Sequence, residues 1–96
     1  MLQPVVALTT DFLDALAQIP KAKQKKVREF AEKFITRPDS AAINYEKIHL
    51  ARDEKIRTVR IDLDYRAVVL HPQQGKVHVL LWVDHHDEAM TWAKNK

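Results

Sequence analysis

The sequence predicts an α+β domain, and three observations predict it. Apolar spacing is helical from Phe12 to about Ile35. Beyond residue 41 the period shifts from 3.6 towards 2. The helical and strand-like stretches are segregated along the chain rather than alternating, which favours an α+β two-layer arrangement over a parallel α/β one. The predicted order is a strand, a two-helix hairpin, an antiparallel sheet of three to four strands and a short C-terminal helix, all within one domain spanning residues 1–96.

Residues 4–9 read as the first strand, since Pro4 can open a strand but not occupy its middle. Thr9 or Thr10 offers an N-cap oxygen, and Asp11 and Asp14 suit the positive end of a helix. Phe12, Leu13 and Leu16 share a face at helical spacing, continued by Ile19 to Pro20. Pro20 also suits the start of the next helix, where its missing N–H is harmless. From Lys21 to about Ile35, Val27, Phe30, Ala31 and Phe34 fall at i, i+3, i+4 and i+7 as one buried stripe. Pro38 ends this helix, because the residue before proline resists helical geometry.

Residues 44–50 predict an edge strand or an irregular arm. In residues 56–63 Val59, Ile61 and Leu63 point one way, and Thr58, Arg60 and Asp62 the other. Stretches 65–70 and 77–83 are denser in apolar residues, as central strands are, and Pro72-Gln73-Gln74-Gly75 turns between them. Asp84 is placed to cap a last helix over roughly 85–94, with Ala89, Met90 and Ala93 inward. The long helix is expected to cover one sheet face. The other is expected to stay partly open and to carry Arg60 and Arg66.

Composition excludes several classes. The chain has 96 residues, no cysteine and one glycine. A disulfide scaffold, a cysteine zinc site and a glycine-rich phosphate loop are therefore excluded. No apolar run approaches the ~20 residues of a membrane span. Met1-Leu2-Gln3-Pro4 does not look like a secretory signal, so the cytoplasm is the expected compartment. Sixteen Lys and Arg against thirteen Asp and Glu give a formal charge of +3. The basic residues cluster at 21–28 and 52–66, which suits nucleic acid and a plain solvated surface equally.

Four local features carry a likeness to a known family. Thr9-Thr10-Asp11-Phe12 through Ile19-Pro20-Lys21 is one, and Phe34-Ile35-Thr36-Arg37-Pro38 another. The third is Arg60-Ile61-Asp62-Leu63-Asp64-Tyr65-Arg66 with the apolar strand that follows it. The last is Val83-Asp84-His85-His86-Asp87-Glu88-Ala89-Met90. In this order and spacing they resemble the RelE/ParE superfamily of bacterial toxins. The closing motif is most similar to the toxin-like domains attached to UvrD-like DNA helicases. The resemblance implies a RelE-like fold and an antitoxin partner. It also implies one of three activities: ribosome-dependent mRNA cleavage, action on DNA gyrase, or a lapsed interaction module that binds nucleic acid or protein, with helicase domains in cis. No cofactor or membrane partner is implied.

RNA cleavage by 2′-hydroxyl attack needs a proton acceptor, cations at the phosphate and a proton for the leaving oxygen. By resemblance Arg66 and Arg60 are the sheet arginines, with His86 as the proton-handling residue. Lys55, Arg57 and His85 are additional RNA or phosphate contacts. His86 stands where the family motif carries arginine, and Met90 where many members carry a catalytic tyrosine. Methionine moves no proton, so a histidine-based nuclease and a lapsed site both remain open. Arg60 and Arg66 are equally suited to pairing with Asp62, Asp64 or Glu88 as to holding phosphate. His71 and His78 sit diagonally across the predicted hairpin, with no third ligand in view, so no metal site is expected. Trp82, Trp92 and Tyr65 are read as packing residues.

Overall fold

A computed structural model describes residues 5–36, 45–47, 56–70 and 77–95. Its elements run β1 (Val5–Leu8), α1 (Thr10–Gln18), α2 (Lys21–Thr36), β2 (Tyr45–Lys47), β3 (Ile56–Arg60), β4 (Tyr65–Leu70), β5 (Val77–His85) and α3 (His86–Lys94). The strands form one sheet in the order β1-β5-β4-β3-β2. Four strands run as an antiparallel meander, and β1 adds parallel to β5 at the far edge. In the chain the α1–α2 hairpin stands between β1 at one sheet edge and β2 at the other.

The local signals act as their chemistry dictates. Thr9 caps α1: its hydroxyl oxygen accepts the Phe12 N–H at 3.0 Å and donates to the Leu80 carbonyl at 3.0 Å, tying the helix start to β5. The Pro20 carbonyl accepts the amides of Lys23 and Gln24, both at 2.9 Å, and opens α2. Asp84 does not cap α3. The cap residue is His85, and the Asp84 carboxylate accepts the His85 amide at 2.8 Å.

The main core lies between the α1–α2 layer and one sheet face. Phe12, Ala15, Ile19, Val27, Phe30 and Phe34 meet Val59, Tyr65, Ala67, Val69, Leu80 and Val83 there. A smaller core on the opposite face joins Ile56 and Val68 to Ala89 and Ala93 of α3. A bulge makes the dense β5 sequence serve both. Val68 pairs with Trp82 while Val69 pairs with Leu80, so Leu81 is the extra residue. Leu80 and Val83 can then face α1 and α2, while Leu81 packs with the α3 cluster. Trp82 stacks on Trp92 with centroids 5.2 Å apart and planes 7° from parallel, which fastens α3 to β5.

Two expected core residues lie outside it. The buried stripe runs through Phe12 and Ala15 of α1 to its C-cap Ile19, which leaves Leu13 49% exposed. Leu63 is 81% exposed, because the chain leaves the strand after Arg60 and the alternation ends there. The second sheet face is also less open than expected. Arg60 is exposed at the end of β3, but α3 folds back over β4 and Arg66 is only 6% exposed. Among the described residues no helix is long and apolar enough to cross a membrane.

Candidate functional site

The turn between β3 and β4 is built by one carboxylate. Asp62 Oδ1 accepts the amides of Asp64 at 2.8 Å and Tyr65 at 2.9 Å, the self-bonding for which aspartate is favoured in turns. Ile61 N donates to the Tyr65 carbonyl at 3.0 Å and closes the hairpin. The other oxygen, Oδ2, faces α2. It receives Lys23 Nζ at 2.6 Å and Lys26 Nζ at 3.4 Å.

Burial favours the protonated form of Asp62. The Lys23 hydrogen bond, the two turn amides and the Lys23 charge outweigh it and hold the carboxyl well below the usual carboxylate range. Lys23 is raised above its ordinary value, chiefly by its hydrogen bond to Asp62. The Asp62 contribution to stability is therefore complete above its unfolded-state value of about 3.9 and is lost as pH falls towards the depressed folded value. The Lys23 contribution runs oppositely, fading only as pH rises past the ordinary lysine range. Acid unfolding followed by circular dichroism is expected to be shallower in Asp62→Asn below about pH 4. Superimposable acid limbs would remove Asp62 as the linked group.

The turn meets the start of α3 at a groove of about 620 Å³ lined by Leu63, Asp64, Arg66, His85, His86, Asp87 and Glu88. The Asp64 carbonyl accepts the first α3 amide, His86 N, at 2.8 Å. Arg66 lies beside this junction, with Nη1 donating to the carbonyls of Asp62 at 2.6 Å and Tyr65 at 3.0 Å. His86 Nδ1 lies 3.1 Å from the Asp87 carboxylate, an arrangement that favours the tautomer with Nε2 open to accept a proton. His85 Nε2 lies 3.2 Å from the Tyr65 hydroxyl and its ring lies over Tyr65, centroids 4.4 Å apart.

Of the residues singled out in the sequence, Arg66, His85 and His86 are brought together. Arg60 is paired with Arg66 across β3 and β4 and shares its face, outside the groove lining. Arg57 pairs with Val69 of the main-core face, so it lies on the opposite side of the sheet from Arg60; its Nη1 donates to the Ile56 carbonyl at 3.1 Å. Lys55 and His71 lie outside the described residues. His78 is buried with its ring edge-on to Phe34, centroids 5.9 Å apart. Met90 packs with the α3 cluster. The groove also holds three carboxylates that the sequence reading treated only as pairing partners or left out, those of Asp64, Asp87 and Glu88. With one arginine against them, the local field is less favourable to phosphate than the basic residues alone suggest.

No protein-family profile and no curated protein sequence matches the chain. Solved structures do. The toxin–antitoxin complex RelBE2 from Mycobacterium tuberculosis superposes with a TM-score of 0.67 at 21% identity, covering 88% of this chain and 100% of that one. The archaeal RelE–RelB complex from Pyrococcus horikoshii gives 0.63 at 21% identity, covering 92% and 100%. The DinJ–YafQ toxin–antitoxin complex of E. coli gives 0.70 at 10% identity, covering 91% and 97%. The chain has a RelE-like toxin fold, and at these identities the likeness establishes the fold alone.

Proposed function

We propose that this protein is a toxin of a toxin–antitoxin pair that binds RNA in the groove between the β3–β4 turn and α3 and cleaves it. The observation that carries this reading is the meeting of Arg66, His85 and His86 in one groove on a RelE-like fold. His86 takes the proton of a ribose 2′-hydroxyl, the 2′ oxygen attacks the adjacent phosphorus, and the 5′ oxygen leaves with a proton from solvent. The Arg66 charge faces the developing phosphorane, while His85 lies alongside. Its antitoxin would cover the apolar channel between α1 and α2, about 460 Å³, floored by Leu8, Leu13, Leu16 and Ile35. Lys21, Lys25 and Arg28 border that channel, which suits an amphipathic acidic segment.

The three groove carboxylates, with Met90 turned into the α3 cluster, favour a second reading. In it the fold persists as a non-catalytic module for a nucleic-acid or protein partner, including helicase domains in the same polypeptide. Induced expression in a bacterial host separates the two. The first reading expects growth arrest and new mRNA ends, with His86→Ala lowering cleavage about 10²–10⁴-fold. Arrest without new ends would redirect the search to gyrase or another target. Good expression with neither effect would establish the non-catalytic module.

A further inference from the structure

We propose that Asp62, strapped to α2 by Lys23, is the positioning residue of the groove, holding Arg66, His85 and His86 in place without touching what binds there. The inference rests on the groove reading above for its functional consequence, and on geometry for its structural content. Asp62 does not line the groove. Its side chain is 13% exposed and lies on the α2 side of the turn. Its Oδ1 fixes the backbone of the turn, and its Oδ2 binds the side chains of Lys23 and Lys26 on α2.

Three routes lead from it. In the first, Oδ1 holds the Asp64 and Tyr65 amides, which sets the turn so that the Asp62 carbonyl receives Arg66 Nη1 at 2.6 Å. In the second, the same turn presents the Asp64 carbonyl to His86 N at 2.8 Å and so sets where α3 begins. The third runs through the strap. Lys23 Nζ lies 2.6 Å from Oδ2 and also 5.4 Å from the centroid of the Tyr65 ring, whose hydroxyl meets His85 Nε2. Lys26 at 3.4 Å adds a second cation to the same oxygen. The long helix thus governs a site on the far side of the turn through one carboxylate. A hydrogen-bonded ion pair with a largely buried carboxylate has the rigidity for this, which an exposed pair lacks.

The test uses the whole chain. Asp62→Asn weakens the turn bonds, because a neutral amide oxygen accepts less strongly than a carboxylate, and loses the charge that binds Lys23. Lys23→Gln removes the strap and leaves the turn carboxylate. Lys33→Gln, exposed on α2 away from the turn, is the control. In folded Asp62→Asn, amide hydrogen exchange at His86 is expected to accelerate about tenfold or more, with the ring resonances of His85 and His86 shifting. Lys23→Gln is expected to do the same to a smaller degree, and the double variant to be no worse than Asp62→Asn alone, as members of one network behave. Affinity for a fluorescein-labelled single-stranded RNA should fall in the same order. Unchanged His86 exchange and unshifted imidazole signals in either folded variant would overturn the proposal. If Asp62→Asn does not fold, Lys23→Gln decides by the same readouts. If the wild type binds no RNA, the functional reading falls while the exchange data still decide the positioning role.

Discussion

Phe34→Ala is expected to cost about 3–5 kcal/mol, the usual range for a fully buried phenylalanine. The ring has no exposed surface and joins both halves of the main core. It lies 5.5 Å from Phe30 on its own helix and 5.9 Å from His78, which arrives edge-on from β5. Truncation leaves a cavity with rigid helix on one side and hydrogen-bonded sheet on the other, so little collapse is available to fill it. Against a typical total stability of about 5–15 kcal/mol, that is a large fraction. In a domain of this size the melting temperature should drop by roughly 12–40 °C. The neighbouring Ile35, 51% exposed, is the internal control. Ile35→Ala should change stability by no more than about 0.5 kcal/mol. Thermal melts of the two variants check the placement, and comparable losses would mean that α2 presents a different face to the sheet.

The α2 stripe was open to sequence reading because a helix face repeats within a few residues. Val27, Phe30 and Phe34 declare themselves at i, i+3 and i+7 without help from the rest of the chain. Pro20 at the hairpin corner and the Thr9 cap are equally local. The failures share the opposite property. Leu13 was assigned inward because Phe12 and Leu16 flank the same arc, and only the position of the sheet shows that Ala15 takes the inner place instead. The Arg66 burial depends on α3 folding back across the second face, a contact between residues some twenty positions apart. The bulge at Leu81 has no signal beyond an apolar run one residue too rich for simple alternation. Asp62 had a usable signal that the alternation argument obscured. An aspartate two and three residues before amides that need acceptors is a turn former, and the pattern Asp62-Leu63-Asp64 ends a strand rather than extending it. The lysines that complete its role come from a helix far away in sequence, and spacing says nothing about them.

Arg66→Ala is expected to lower stability and RNA affinity together, and the alanine variant alone therefore does not show that Arg66 meets phosphate. The sequence leaves Arg66 equally suited to holding phosphate and to an exposed carboxylate pair worth little to stability. The structure changes that, since Nη1 serves two backbone carbonyls and the side chain is 6% exposed. Removing the donor should cost about 1–3 kcal/mol and loosen the turn that carries Asp64 and the start of α3. Arg66→Lys separates the causes. It keeps the positive charge but replaces a planar fork with a single ammonium, which cannot hold both carbonyls in the same geometry. If the charge meets phosphate, the lysine variant retains most of the RNA affinity while losing stability much as alanine does. If Arg66 acts only by shaping the turn, both variants lose affinity in step with stability. Salt dependence supplies the independent readout. A lost phosphate contact reduces the slope of log affinity against log salt by about 0.7 for single-stranded RNA, whereas a purely structural loss lowers affinity at every salt concentration and leaves the slope alone. An unchanged slope in the folded alanine variant would take Arg66 out of the phosphate site and leave the groove histidines to account for any RNA chemistry on their own.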